Sequence, residues 1–277
     1  MRLSIITINL NNKIGLERTM DSVFKQDFKG FEFIVIDGAS SDGSTALIHS
    51  NEGKIAYWVS EKDKGIYHAM NKGITVAKGD YCFFLNSGDY LIAPDSLTSL
   101  FSIIDAGGCK EGIISCNLRK IYDSGKWRRV SSPTYATFLA MIDQGLPHQA
   151  TLISRQLFSI VGFYKENYKI SADWDFFLKA ILIHHIPYRH IDIDLSYFDL
   201  QGVSSQQSAL QYSVKEVEMT LKEIYPEGWQ EIMAYKLFWN SPTGSIMKLV
   251  QQNNKRFSQL NWFFAKIISF KKKIKGN

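Results

Sequence analysis

Short apolar, β-branched runs, each stopping at a polar or glycine-bearing segment, set the architecture of this chain. Residues 3–8 (LSIITI) and 31–36 (FEFIVI) are two such runs. Runs without polar alternation read as strands buried on both faces, which points to a parallel sheet. Between them, residues 13–26 place Ile14, Leu16, Met20, Val23 and Phe24 at helical spacing. The rhythm repeats with a helix over 44–50, a strand over 55–59, a helix over 66–77 and a strand over 80–85. This alternation predicts an α/β fold with functional groups on the loops that follow strand C-terminal ends.

The second half is less regular. Residues 112–122 and 126–130 predict a hairpin about Asp123-Ser124-Gly125. A strand over 149–154, a helix over 155–162, a helix over 173–183 and a strand over 188–194 follow, and from about Ser205 only helices are expected. At 277 residues the chain is one large domain or one domain with an appendage. A hydrophobic fraction of 45% argues against disorder.

Several classes drop out on composition. Cys82, Cys109 and Cys116 form no CxxC pair, which excludes a zinc ribbon or disulfide scaffold and favours a reducing compartment. The stretch MRLSIITINLNN reads as a first strand and not a signal peptide. No window approaches the ~18 apolar residues of a bilayer span. After Glu231 there are nine basic residues and no acidic one; removing those nine charges from the total of +5 leaves residues 1–231 at −4. Such a body is a poor nucleic-acid binder, and the tail asks for an anionic partner.

Three loops carry candidate chemistry. Asp37-Gly38-Ala39-Ser40-Ser41-Asp42-Gly43-Ser44 follows the second strand, where Asp37 can accept hydrogen bonds from a nucleoside; the same residues also fit a capped β–α turn. Gly38 and Gly43 are followed by Ser44 where a P-loop needs Lys, and no G-x-G-x-x-G occurs, so kinase-type and dinucleotide sites are disfavoured. Residues 61–73 form a dense polar run entering a helix. Leu85-Asn86-Ser87-Gly88-Asp89 ends the most apolar strand with a carboxylate suited to a divalent cation on a diphosphate, or with a simple turn. Asp173 and Asp175 open a helix two residues apart, so they point in different directions and at most one reaches a common ligand. His184 and His185 are adjacent, which disfavours a zinc site.

In this order the segments resemble the family 2 glycosyltransferases, particularly bacterial members that build capsular (colanic-acid type) or other surface polysaccharides. The resemblance rests on Thr7 and Asn9, Asp37 to Ser44, Ser60 to Gly73, Gly79-Asp80-Tyr81, Asn86 to Asp89, His148-Gln149 and Ser171 to Asp175, over about residues 1–205. It implies a GT-A fold, with residues 1–90 as the nucleotide-sugar half, 91–205 as the acceptor half and 206–277 as a basic helical extension. It implies an inverting hexosyltransferase that uses a nucleotide-diphosphate sugar, UDP-linked by preference, and a divalent cation, Mn2+ or Mg2+. Carried over residue by residue, Thr7, Asn9, Asp37, Asp63, Asn71 and Asn86 line the nucleotide-sugar site. Asp89 holds the metal, Asp173 is the general base, and His148, Gln149 and Asp175 lie on the acceptor side. Where many relatives carry D-x-D-D, this chain keeps only Asp89; Leu10 stands where Tyr is common, and His68 where Asp is frequent.

The implied chemistry is coherent: a hard cation offsets charge on the leaving diphosphate, and a carboxylate takes the acceptor proton. In the tail, Phe257, Leu260, Phe264, Ile267 and Ile268 share a helical face, with Lys266 and Lys271 to Lys273 elsewhere. That pattern suits an anionic membrane surface, at the inner face of the cytoplasmic membrane with a lipid-linked glycan acceptor, or a helix packed on the body. A non-catalytic nucleotide-sugar-binding module on the same fold is the alternative function.

Overall fold

The computed structural model describes residues 1–107, 112–122, 125–199 and 209–245. Its parallel core consists of β1 (Leu3–Asn9), β2 (Phe31–Asp37), β3 (Tyr57–Ser60) and β4 (Tyr81–Phe84). β1 pairs with β2 from Leu3–Phe31 to Asn9–Asp37, β4 flanks β1, and β3 flanks β2, all parallel. Leu3, Ile5, Ile6, Phe33 and Phe83 are buried, as expected of strands covered on both faces. The crossovers are α1 (Lys13–Phe24), α2 (Ser44–Ser50) and α3 (Ile66–Val76). The Asn12 side chain caps α1 by accepting from Gly15 N at 3.0 Å. In α3, Gly73 lies so close to Ile6 that a Cβ would collide with it, so the glycine sets the helix–sheet spacing.

Beyond β4 the sheet becomes mixed. β5 (Tyr90–Leu91), α4 (Ser96–Ala106), β6 (Ile113–Ile121) and β7 (Trp127–Val130) come next in sequence. They are followed by α5 (Phe138–Asp143), β8 (Thr151–Ser154), α6 (Leu157–Ile160), α7 (Ala172–Leu178) and β9 (Tyr188–Asp199). The sheet order is β3-β2-β1-β4-β8-β6-β9-β5, with β7 on β6. β8 runs antiparallel to β4 and β6, β9 runs parallel to β6, and β5 is antiparallel to β9. The expected α/β class and the 112–130 hairpin are present. β9 extends to Asp199 instead of stopping at 194, and the helix expected over 173–183 passes into a π-helical turn at Lys179–Ile183.

The aromatic rings of Phe84, His148, Tyr164, Phe158, Phe176 and Phe177 pack together where α6 and α7 meet the end of β4. Truncating a buried ring such as Phe177 would cost about 3–5 kcal/mol. α8 (Ala209–Ile224) and α9 (Trp229–Trp239) close the described chain. The fold divides into compact units at Met1–Thr220 and Leu221–Asn277, so the first unit runs past residue 205. Within the second, Tyr235 and Trp239 of α9 sit 5.8 Å apart. The amphipathic face expected over 257–268 and its lysines lie outside the described residues, as does Cys109. No described helix is long and apolar enough to cross a membrane.

Candidate active site

Register brings Asn9, Asp37 and Ser60 side by side where β1, β2 and β3 end. Asp37 is fully buried, and its carboxylate takes four donors. Oδ1 accepts from Asn9 Nδ2 (2.8 Å) and Ser40 Oγ (2.6 Å). Oδ2 accepts from Ser40 N (2.9 Å) and Ser60 Oγ (2.6 Å). Ala39 supplies the turn that returns Ser40 to the carboxylate, with φ +62. Burial raises the Asp37 pKa, but the Ser40, Ser60 and Asn9 bonds outweigh it and hold the group below its usual value. Asp37 therefore fixes the shape of this wall. The neighbouring Asn9 Oδ1 is buried with no hydrogen-bond partner among the described residues.

The polar run after β3 carries a charge network centred on Asp63 and Lys72. Asp63 Oδ1 accepts from Lys72 Nζ at 2.6 Å and pairs with His68 Nδ1 at 3.1 Å, while Lys72 also reaches Glu61 at 2.8 Å. Asp63 Oδ2 lies against Gly38, where a Cβ would come within 3.3 Å, and Leu10 stands beside it, 64% exposed. Asp63, Leu10 and Asn9 thus border the same loop. Thr7 and Asn71, in contrast, are occupied internally. Thr7 Oγ1 donates to Leu85 O at 2.6 Å, and the Asn71 amide binds Tyr164 N and O at 3.1 and 2.9 Å. These bonds tie β1 to the chain after β4 and α3 to the 164 segment.

After β4, Gly88 (φ +106) turns the loop so that Asp89 enters a buried position beside the end of β9. Thr19 of α1 holds it, donating to Asp89 O at 2.7 Å and accepting from Gly88 N at 3.0 Å. Asp89 Oδ1 accepts from the Asp199 backbone N–H at 3.0 Å, and the Asp199 carboxylate pairs with Arg18 at 3.0 Å. Burial pushes the Asp89 carboxyl well above its usual range; the Asp199 N–H works against that, the Asp199 charge adds to it and Arg18 opposes it. Asn86 Oδ1, in the same loop, is buried with no partner among the described residues. No group of three or more His, Cys, Asp or Glu among the described residues is arranged to hold a metal. Asp89, Asp199 and the Asn86 amide nevertheless carry hard oxygen donors, the type that a small divalent cation takes. Asp199 was missed in the sequence because the strand was expected to end at 194; an acid at the true strand end is the signal.

Asp173 opens α7, partly exposed, and its Oδ1 accepts from the Tyr67 hydroxyl of α3 at 2.9 Å. Burial, and then the charge of Asp173, push the Tyr67 phenol well up, so it remains a donor. His148 stacks on Phe84 at 4.7 Å and contacts the Tyr164 hydroxyl through Nε2 at 2.9 Å. Burial lowers its pKa against the pull of Asp173, favouring neutral imidazole. Gln149 is half-buried next to it, and its carbonyl takes the Ser196 hydroxyl at 2.5 Å. Asp175, expected on the acceptor side, is engaged within the chain. Turned away from Asp173, it is buried between Lys165 (3.0 Å), Lys179 (3.2 Å) and Thr220 (2.8 Å). Glu216 of α8 was also missed. Its carboxylate accepts the backbone N–H groups of Lys169, Ile170 and Ser171 at 2.5, 3.1 and 2.8 Å, clamping the chain just before Asp173. Asp37 thus ends β2, Asp89 sits in the loop after β4 beside the end of β9, and Asp173 opens α7 against Tyr67, on three separate supports.

Comparison with known proteins adds the following. The profile of Glycosyl transferase family 2 matches residues 4–164. An uncharacterised glycosyltransferase of Mycobacterium tuberculosis is 35% identical over 207 residues, 74% of this chain and 78% of that protein. A PGL/p-HBAD biosynthesis glycosyltransferase of Mycobacterium bovis BCG is 26% identical over 206 residues, covering 73% and 78%. Among solved structures, Staphylococcus aureus TarS 1-349 in complex with UDP-GlcNAc superposes with a TM-score of 0.67 at 18% identity, over 88% of this chain and 74% of that one. The mannosyltransferase PcManGT of Pyrobaculum calidifontis, in complex with GDP-Man and Mn2+, gives 0.60 at 14% identity, covering 96% and 80%. At such identities these two show the shared GT-A architecture.

Proposed function

This chain belongs to glycosyl transferase family 2, and on that premise we propose that it is an inverting hexosyltransferase of bacterial surface-polysaccharide synthesis. The donor is a nucleotide-diphosphate sugar, UDP-linked by preference, and the acceptor is a glycan, carried on a lipid. The observation that carries the reading is the partly exposed Asp173, its carboxylate held by the Tyr67 hydroxyl at the start of α7. The TarS complex with UDP-GlcNAc supports the donor class.

Each part of the edge has a task. Asn9, Leu10 and Asp63 border the nucleoside, with the unpartnered Asn9 Oδ1 accepting a donor from the base, while Asp37 keeps that wall in shape. Asp89, Asp199 and the Asn86 amide oxygen would hold a Mn2+ or Mg2+ ion, which supplies positive charge to the departing diphosphate. Tyr67 occupies Oδ1 of Asp173 and leaves Oδ2 to take the proton of the acceptor hydroxyl. The acceptor oxygen then bonds to the anomeric carbon from the face opposite the diphosphate, and the bond to the diphosphate breaks. Burial keeps His148 and Tyr164 neutral, so neither of these neighbours carries a positive charge. The nine basic residues after Glu231 support work at the inner face of the cytoplasmic membrane, where a lipid-linked acceptor is presented.

The test is transfer from a panel of UDP-, GDP- and dTDP-sugars with Mn2+ or Mg2+. Asp173→Asn should lower turnover by about 10²–10⁴-fold while donor binding, read as a thermal shift, persists. Full transfer by Asp173→Asn removes the assigned base. Donor binding without any turnover favours the alternative, a nucleotide-sugar-binding module, for which the single acid of Asn86-Ser87-Gly88-Asp89 speaks.

A further inference from the structure

A second organised surface lies on the sheet face made by β7, β6, β9 and β5. Register places its members: Arg119 is opposite Tyr197 on one side and Arg129 on the other, Tyr90 is opposite Tyr197, and Trp127 is two residues from Arg129. These side chains therefore share one face. The Arg119 guanidinium lies 4.3 Å from the centroid of the Trp127 ring and donates to the Tyr197 hydroxyl at 3.2 Å. Tyr197 stacks on Tyr90 at 4.8 Å, and Arg18 sits 5.3 Å from Tyr90. Arg18 then pairs with Asp199, whose N–H binds Asp89. A ladder of alternating guanidinium and aromatic planes thus runs from the hairpin to the metal-type carboxylates.

The ladder is held rigid by paired charges. Asp194 takes Arg119 at 2.8 Å and Arg129 at 2.5 Å, and Asp192 takes Arg129 at 2.7 Å and Asn117 at 2.9 Å. Each guanidinium of the ladder is paired with a carboxylate (Asp192, Asp194 or Asp199), so none of the three is left open to an anion. Trp127 nevertheless stays 49% exposed, with Arg119 against one side of its ring. An exposed indole, with guanidinium donors and carboxylate acceptors on the same sheet face, matches one chemistry in particular. A pyranose has a C–H face that packs on an aromatic plane and a rim of hydroxyls that donate and accept in turn.

We propose that this face binds an uncharged pyranose of the acceptor glycan, stacked on Trp127 with its hydroxyls on Arg129 and Asp192. The assignment rests on the glycosyl-transfer reading. Its location follows from continuity: the ladder ends at Asp199 and Asp89, so a chain seated on Trp127 runs toward the transfer edge. Because every guanidinium of the ladder already holds a carboxylate of this chain, the platform favours a neutral sugar over one bearing carboxylates.

The probe is chitotetraose, with a tetrasaccharide of alternating glucuronate and N-acetylglucosamine as its charged counterpart, titrated by calorimetry against the full chain. Wild-type protein should bind chitotetraose, and Trp127→Ala and Arg129→Ala should each weaken it about 10-fold. The charged tetrasaccharide should bind more weakly than the neutral one. The thermal shift with UDP and Mn2+ should be the same in all three proteins. The platform is overturned if Trp127→Ala binds chitotetraose like wild type, if the glucuronate form is preferred, or if neither saccharide binds at about 10 mM. Any of these with an intact UDP shift removes the platform alone. A wild-type protein that shows no shift with UDP, GDP or dTDP removes the glycosyl-transfer reading, and the platform with it.

Discussion

Replacing Asp37 by Asn tests whether this buried carboxylate is the hub of the nucleoside wall. In the wild type it accepts from Asn9 Nδ2, Ser40 Oγ, Ser40 N and Ser60 Oγ. An amide keeps one oxygen. With its NH2 on the Oδ2 side, Ser60 can rotate to accept, but the Ser40 N–H cannot and faces another donor. With its NH2 on the Oδ1 side, Asn9 must flip, which uses its orphaned Oδ1 and buries its own NH2 without a partner. Either way one buried donor goes unanswered, at about 1–3 kcal/mol, and the remaining bonds fall from charge-assisted to neutral strength. Relief of burying a charge offsets part of this, leaving a loss of about 2–3 kcal/mol. For a unit of this size that is a fall in Tm of about 4–12 °C. Because the folded pKa of Asp37 is lowered, the wild type's advantage is present above the unfolded value and is lost as pH falls through the folded one. Thermal melts at pH 6.5 should show the full difference, and it should shrink below about pH 4. An Asp37→Asn protein as stable as wild type at pH 6.5, or a gap that widens in acid, would refute the hub.

Three further perturbations have directions fixed by the structure. Asp89→Asn keeps the acceptor for the Asp199 N–H and removes a buried charge, so the metal-free protein should gain about 1–3 kcal/mol at pH 8. Since the folded pKa of Asp89 is raised, wild-type stability is lost as pH rises, and the gain must be smaller at pH 5 in parallel melts; the reverse order contradicts it. Glu216→Gln leaves at least one of three clamped backbone N–H groups facing an NH2, so stability should fall by about 1–3 kcal/mol and turnover by about 10-fold, with donor binding unchanged. Burial pushes the Cys82 and Cys116 thiols up to about 12, so in a Cys109→Ser background neither should react with a disulfide reagent at pH 8 until urea exposes both.

The parallel half was legible because its strands are apolar on both faces and end at Asn9, Asp37 and Ser60, residues with little reason to sit there unless something at the edge needs them. The outer half of β9 was not. Past Asp194, Tyr197 and Asp199 look like a polar loop until Arg119 and Arg18 arrive from distant segments to pair with them. α4 carries Leu97, Leu100, Phe101 and Ile104 on one face, but Asp95 forms no side-chain cap to announce its start. Asp173 and Asp175 could be told apart in principle by helix geometry, yet which of them faces Tyr67 depended on Lys165, Lys179 and Thr220 capturing the other. Glu216 read as one acid among many on an amphipathic helix. Only tertiary folding shows its three amide partners, because a clamp between segments distant in sequence leaves no periodicity to detect.

That clamp bears on how bodies of this kind can be exchanged. The stretch matched to the family ends at residue 164, short of Asp173, and the groups that hold the start of α7 come from Glu216 and Thr220. A chimaera made by grafting residues 1–205 onto another relative's ending would inherit every carboxylate of the edge. It would also inherit three dangling amides and an Asp175 missing one of its anchors, unless the incoming helix brought an acid and a hydroxyl at the same two heights.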